Sequence, residues 1–587
     1  MLEQSSVLRE MERKMDKVKQ VYIGHDSLIT SLGEKMQTFY ALEQKECGLS
    51  YNEKYGMIVG TINRALPLAY QQEGCTFFES LVINNTLAII NESQLDVKDQ
   101  RLLVILSTTK GNINKLEENV SPVPEDAFLG TTALKLQAYL GLSNLPLIVS
   151  NACISGVSAL IIAREIILQG IYDNIIVVGC DTLSPFITEG FASFKSISSK
   201  PCRPYDKNRD GLCLGEACGA ILLTSDKSQA RRPYLYLNGG AITNDANHIS
   251  GPSRTGDGLY LAIERALSEA NLDKNDIGFI NAHGTSTVYN DEMESKAIAL
   301  AGLTDKPINS FKSYIGHTLG ASGVVETILC IQELLTKRVF ATLGFEELGT
   351  SCTISVSSNE QTFTKEAFIK TASGFGGCNA AIAVSSECYK GIHPNYDIHV
   401  KEVCHYSLPV SCEAFHDFIR AEYKKLGETN MKFYKMSDLC KAAYVSMANL
   451  LEQYSLNQYS PEDISIVLAN RSSSLDADIE HQKIINKHSE EGASPAIFVY
   501  TLPNVVNGEL CIRHKIKGNN TFFVEDKDNG TAEKYAKLLI ETGKAKAVIC
   551  GWCEKLSEKY EVNLKLLIRE KINNYGTTSK RTQTAFD

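Results

Sequence analysis

Apolar positions along this chain fall into two alternating patterns. Short unbroken runs read as buried strands: Leu103-Val104-Ile105-Leu106, Leu147-Ile148-Val149, Asn174 to Val178 and Ile277-Gly278-Phe279-Ile280. Longer stretches with helical spacing, Val157 to Gln169 and Val324 to Leu335, follow polar breaks. Strand, sharp turn, helix, strand is the order of an α/β fold. The same order returns near the C-terminus. Asn520 to Val524 reads as a strand, Glu525 to Gly530 as a polar turn, Thr531 to Gly543 as a helix and Lys546 to Gly551 as a strand. Upstream of it, Ser465 to Ser472 parallels Leu103 to Thr109. The tail therefore reads as an internal repeat of the region around residues 103 to 179.

The breaks between the runs carry the candidate chemistry. Cys153 lies in Ser150-Asn151-Ala152-Cys153-Ile154-Ser155-Gly156, where a strand gives way to a helix. A thiol at a helix N-terminus feels the positive end of the dipole, so thiolate is expected there. Taken alone, one cysteine among 17 reads as a buried structural residue. Three further segments change that reading. Asn281-Ala282-His283-Gly284-Thr285-Ser286-Thr287 puts a histidine at a strand end. Ser310 to Gly323 holds Lys312 and His317 ahead of a glycine-rich turn and a helix. Ser373-Gly374-Phe375-Gly376-Gly377-Cys378-Asn379 is a third polar turn.

Together these segments resemble the β-ketoacyl-acyl carrier protein synthases, the elongating, decarboxylating condensing enzymes of thiolase-like fold. The likeness spans residues 20–388. It rests on NACISG around Cys153, CRPYDKNRDGLCLGEACG from Cys202 to Gly219, NAHGTSTVYND from Asn281 to Asp291, FKSYIGHTLGASGVVE from Phe311 to Glu326, and GFGGCNA from Gly374 to Ala380. The paired histidines resemble the elongating type. Initiating synthases carry asparagine where His317 stands, and thiolases use a second cysteine as base.

The resemblance implies an α/β, five-layer α-β-α-β-α duplicated fold that dimerises through edge strands of its first lobes. It implies that Cys153 takes an acyl group, which is covalent catalysis. A malonyl thioester on a carrier then loses carbon dioxide, and its enolate attacks the acyl-cysteine. His283 and His317 are expected to donate to the enolate oxygen, and the backbone N–H groups of Cys153 and Phe375 to the tetrahedral oxyanion. Such donors are typically worth ~3–4 kcal/mol each. Lys312 is expected to keep both imidazoles neutral, with Glu326 orienting the lysine side of the site. Thr285 and Thr287 are expected to bind a phosphopantetheine arm. Asp291 and Glu294 are expected as structural supports, and Arg203 to Gly211 as a bracing loop. Cys378 stands where the family usually carries threonine and resembles the second cysteine of thiolases, but Lys312 and His317 have no place in a thiolase. No tightly bound cofactor is implied. The substrates, malonyl and acyl thioesters, ride on the phosphopantetheine of an acyl carrier protein, and the assembly is expected to be a homodimer or a heterodimer with a related subunit.

Composition narrows the picture. A chain of 587 residues has room for two or three domains. Its 17 cysteines, odd in number and irregular in spacing, fit a reducing, cytoplasmic compartment. Cys550 and Cys553 have C-x-x-C spacing but no companion pair, so they are read as strand-end residues and no metal is expected. Residues 1–19 are charged and helical in pattern, unlike a signal peptide, and no run approaches the ~18 apolar residues of a membrane span. A net charge of −10 argues against nucleic-acid binding; an acidic carrier is expected to dock on a local basic patch.

The expected organisation is an N-terminal helical extension (1–19), a synthase domain (20–388), a linker (389–397), a truncated first lobe of a second such domain (398–569) and a flexible tail (570–587). The nucleophile position of that lobe falls in Glu525-Asp526-Lys527-Asp528, without a thiol, so the lobe is expected to be catalytically dead. It reads as a mimic of a dimer partner, as a stabilising appendage, or as a segment that sets product length. Two functions are in view: a condensing enzyme extending a fatty-acid or polyketide chain, with a polyene or pigment product as the specialised case, and a non-catalytic partner that shapes another synthase. The intact Cys153, His283, Lys312 and His317 favour the first.

Overall fold

The apolar runs become strands covered on both faces; Val104, Ile105, Leu106, Ile175, Ile176 and Val177 are all buried, which is why polar residues do not alternate with them. The computed structural model describes residues 20–66, 74–388, 398–487 and 492–571. The expected N-terminal extension, the linker and the tail beyond residue 571 lie outside the described residues. The first lobe contains β1 (Tyr22–Thr30), β2 (Leu102–Ser107), β3 (Leu147–Val149), β4 (Asn174–Asp181) and β5 (Ala217–Thr224). They lie in the order β1-β5-β4-β2-β3, with β2 parallel to both neighbours and the other pairs antiparallel. The second lobe, β6 (Tyr236–Asn244), β7 (Ile277–Asn281), β8 (Ile308–Asn309), β9 (Ala367–Gly374) and β10 (Cys378–Ser385), repeats this as β6-β10-β9-β7-β8. One pair, Tyr22 with Tyr236, joins the two sets.

Helices make the remaining layers. α1 (Phe77–Ser93) covers β1, β4 and β5. α2 (Ser155–Leu168), after β3, packs on β2 and β4 and also on β6 and β10. α3 (Asp257–Ala270) covers β6 and β10, and α4 (Val288–Leu300) packs beside it. α5 (Ser322–Thr336) packs on α2 and on strands of both lobes. The result is the duplicated five-layer α-β-α-β-α fold, with α2 and α5 as its middle layer. Their N-terminal ends meet backbone to backbone: a Cβ at Gly323 would lie 2.2 Å from Val157 N, and one at Gly156 would lie 2.8 Å from Val324 N. The stretch Leu319–Thr336 is, against expectation, long and apolar enough by composition to cross a membrane, but it is 83% buried here between the sheets.

Beyond the second lobe come β11 (Ile398–Ser407), α6 (Asp438–Glu452), β12 (Ile464–Asn470), α7 (Val505–His514), β13 (Asn520–Val524), α8 (Thr531–Glu541), β14 (Ala547–Leu556) and β15 (Lys559–Lys571). Their strands run β13-β12-β14-β15-β11, with β12 parallel to both neighbours and the other pairs antiparallel, the pattern of the first lobe once more. β15 continues to Lys571, past the expected boundary at 569. Cys550 and Cys553 are buried inside β14 rather than at its end, because that strand runs on to Leu556 and turns back on itself. Among the described residues no cluster could hold a metal ion.

β13 pairs antiparallel with β3, matching Phe523 to Val149 and Val524 to Ile148, so the two five-stranded sets form one continuous sheet. Polar contacts reinforce this seam. Lys110 Nζ binds Asp478 Oδ1 (2.6 Å) and Ser474 Oγ (2.9 Å), all three side chains being buried. Lys544 Nζ reaches Glu165 (2.6 Å) and Glu269 (2.9 Å) across it.

Candidate active site

The first strand of the seam leads into the turn that holds Cys153, the candidate nucleophile. After β3 the chain turns through Ser150 and Asn151 to Ala152, whose φ of +47° is left-handed, a conformation that costs about 1–3 kcal/mol for a residue with a side chain. Surroundings hold the turn in place. Ser155 Oγ accepts from Asn151 N (2.8 Å) and donates to Ala152 O (2.6 Å). The Asn151 amide donates to Asn520 O (3.1 Å) and accepts from Phe522 N (2.7 Å), both on β13. Cys153 emerges 8% exposed.

A cavity of about 250 Å³ opens beside it, lined by Cys153, His283, His317, Thr285, Thr287 and Phe375 among others. Six of the expected residues are thus brought together. His283 follows β7. The buried Glu294 on α4 fixes its turn, accepting from His283 N and Gly284 N at 2.8 Å each, from Tyr205 Oη at 2.5 Å and from Thr371 Oγ1 at 2.7 Å. His317 N donates to Cys213 O (2.7 Å), and its Nδ1 shares a hydrogen bond with Ser322 Oγ (3.2 Å). The two rings stand 5.1 Å apart at 87°. Thr285 and Thr287 join hydroxyls at 3.0 Å. Asp291 accepts from Tyr205 N and sits near Arg209, so the loop from Arg203 does brace this wall.

Lys312 and Glu326 are buried outside the cavity wall. Glu326 bridges two cations, Lys312 Nζ through Oε1 and Lys370 Nζ through Oε2, each at 2.6 Å. Both histidines are held well below the ordinary imidazole pKa, first by burial and then by the charge on Lys312, so they are neutral at pH 7. Cys153 departs from expectation. Burial pushes its thiol up to about 12, against the pull of Lys312, so the resting group is SH rather than thiolate. The helix-end effect is too small to offset that loss of solvation.

Phe375 opens the turn between β9 and β10, which needs glycine at Gly376 (φ +90°) and Gly377 (φ +69°). Cys378 closes it: its thiol donates to Phe375 O (3.2 Å) and lies 3.8 Å from Asn151 O, tying this turn to that of Cys153.

Two supports went unnoticed in the sequence. Lys370 is the one charge in the apolar run Ala367 to Ala372, a signal that could have been read. Asp181, at the end of β4, accepts from Thr108 Oγ1 (2.8 Å), Thr109 N (3.1 Å) and Gly320 N (2.7 Å), joining the end of β2 to the turn before α5. Burial raises it to about 6.

Residues 97–229 match the family model for the beta-ketoacyl synthase N-terminal domain and residues 234–346 that for the C-terminal domain. The 3-oxoacyl-[acyl-carrier-protein] synthase 2 of Vibrio harveyi is 31% identical over 46% of this chain and 69% of its own length. The chain belongs to the β-ketoacyl synthase family. The chloroplastic 3-oxoacyl-[acyl-carrier-protein] synthase II of Arabidopsis thaliana is 33% identical over 40% of this synthase, a stretch that spans 46% of the plant protein. Among solved structures, the PfaC keto synthase-chain length factor superposes with a TM-score of 0.75 over 94% of this chain and 78% of its own. At 14% identity that likeness speaks for the fold alone, and it extends through β11 to β15.

Proposed function

We propose that this β-ketoacyl synthase catalyses a decarboxylative Claisen condensation between an acyl thioester and a malonyl thioester, both carried by an acyl carrier protein. The observation that carries the reading is a thiol and two neutral imidazoles lining one cavity. Cys153 Sγ attacks the acyl carbonyl, the carrier thiolate leaves, and the thiol proton passes to it. The malonyl group then loses carbon dioxide. Neutral His283 and His317 donate to the enolate oxygen, which protonated rings repelled by Lys312 would do only at lower pH. The enolate carbon forms the new C–C bond at the acyl carbonyl while the C–S bond to Cys153 breaks, and the released thiolate takes up a proton from water to restore the resting SH group. The product is a β-ketoacyl thioester on the carrier. Thr285 and Thr287 present hydroxyls to the amides of the arm.

We also propose that residues 398–571 supply in the same chain the lobe that a second subunit gives in a dimer. Support comes from the strand order and sense of the first lobe, repeated and joined to it across β3 and β13.

Intact mass after incubation with acyl-carrier thioesters tests the first reading. An acyl adduct on Cys153, absent in Cys153→Ser, is expected. No adduct with any donor would favour the non-catalytic partner role instead.

A further inference from the structure

Lys370 is a fully buried charge that the condensing reading does not use. It sits in the middle of β9, and both its neighbours, Ile369 and Thr371, are buried too. Successive side chains of a strand point to opposite faces, so Lys370 and Thr371 address different layers. On one face Lys370 Nζ meets Glu326 Oε2 of α5 at 2.6 Å. On the other, Thr371 Oγ1 donates to Glu294 Oε1 of α4 at 2.7 Å. Lys370 Nζ also donates to Thr371 O at 2.7 Å. One dipeptide thus touches two buried carboxylates of the wall that carries the histidines.

The charge of that wall depends on Lys370. Glu326 takes Lys312 Nζ on its other oxygen, also at 2.6 Å. Glu294 is held by neutral donors, His283 N, Gly284 N, Tyr205 Oη and Thr371 Oγ1. Asp291 has a cation of its own in Arg209, and burial pushes Glu333 well up, toward its neutral form. Asp181 adds negative charge on the side of Cys153. With Lys312 alone, Glu326, Glu294 and Asp181 would leave a surplus of carboxylate, and Lys370 offsets it. Its field reaches both rings: after burial and the charge on Lys312, it too holds His283 and His317 below the ordinary imidazole pKa. The reaction is sensitive to such a surplus. A malonyl group arrives with a carboxylate, and as carbon dioxide leaves, the electron pair of the broken C–C bond passes to the enolate oxygen. A negative wall repels the charge at both stages. An acyl donor is neutral and enters without that repulsion.

We infer that Lys370 is a positioning residue for the malonyl half of the reaction: acting through Glu326, it offsets the carboxylates around the histidines, so that the cavity admits an anionic extender and its charge can pass to the enolate oxygen. The inference rests on the condensing reading above. Charge in the wall can be read without turnover, so the two can fail separately.

The experiment uses the full chain as wild type, Lys370→Met, Lys370→Arg, and Lys370→Met combined with Glu326→Gln. The double variant loses one charge of each sign, so its net charge equals that of wild type. Alkylation of Cys153 by iodoacetate and by iodoacetamide is timed at one pH by peptide mapping; the cavity of about 250 Å³ has room for either reagent. Both lose iodide to Sγ and differ in charge, so their rate ratio reports the potential in the cavity and cancels any change in the thiol. Carbon dioxide release from malonyl-carrier and adduct formation with acetyl-carrier are measured beside it. Lys370→Met should lower the iodoacetate to iodoacetamide ratio and carbon dioxide release, each about threefold to thirtyfold, the scale of one unit charge acting through protein. Acetyl adduct formation should stay near wild type. Lys370→Arg should keep all three, and the double variant should recover the ratio and release more carbon dioxide than Lys370→Met. An unmoved ratio in Lys370→Met, with both reagents and both donors slowed alike, would show a packing role and overturn the inference. So would a double variant no better than the single one. A wild type that neither takes an acyl group nor releases carbon dioxide would sink the condensing reading, while the alkylation ratio would still decide whether Lys370 sets the charge of the cavity.

Discussion

At the scale of single residues the site is governed by burial, and Cys153 shows it most directly. With its thiol pushed up to about 12, alkylation of Cys153 should keep rising through pH 9 instead of levelling near the ordinary thiol pKa of about 8.5. Peptide mapping after brief iodoacetamide pulses reads this, and a plateau below pH 9 would show a stabilised thiolate. The histidines shift the other way. Their neutral forms persist below the usual imidazole pKa of 6.5, so the acid limb of carbon dioxide release should fall well below pH 6.5. Lys312→Met removes one cause of that shift but not burial, so the limb in its residual activity should move up without reaching 6.5. A limb that stays in place would discount the lysine charge.

Among the elements, the crossing of α2 and α5 sets the distance between the Cys153 turn and the His317 turn. Gly323→Ala places a methyl 2.2 Å from Val157 N, against backbone that cannot rotate away. A loss of about 1–3 kcal/mol or more in denaturant unfolding is expected, with a fall in activity as the turns move apart. This level also shows what could be read beforehand. The four turns carrying Cys153, His283, Lys312 with His317, and Phe375 were legible because each combines reactive side chains with glycines at a break in an apolar run. The tail repeat was legible in its strand-helix order. Lys370 and Asp181 escaped because each is a lone charge in or closing a strand, and only the folded sheet shows what it meets. The state of Cys153 escaped because helix position is local while solvation depends on everything packed around it. Asn151 looks like an ordinary turn residue until β13 lies beside it, 369 residues later in the chain.

The whole molecule is organised by the seam. Lys110 and Asp478 form an ion pair with almost no solvent contact, and burial drives each toward its neutral form, Asp478 up to about 6 and Lys110 downward. Lys110→Met should cost about 3–5 kcal/mol by stranding the carboxylate, and adding Asp478→Leu should recover much of it. Equal stability of single and double variants in urea would show that the pair is not coupled. The seam also occupies the edge strand through which the family's first lobes are expected to pair, so light scattering should find one chain per particle; a particle of two chains would mean that another edge associates. The strand pairing has one more consequence. Two edges joined by a single polypeptide meet at an effective concentration on the order of millimolar, whatever the amount of protein in the tube. Turnover per chain should therefore stay constant on dilution from micromolar to nanomolar, where a pair of separate subunits would come apart and fall silent.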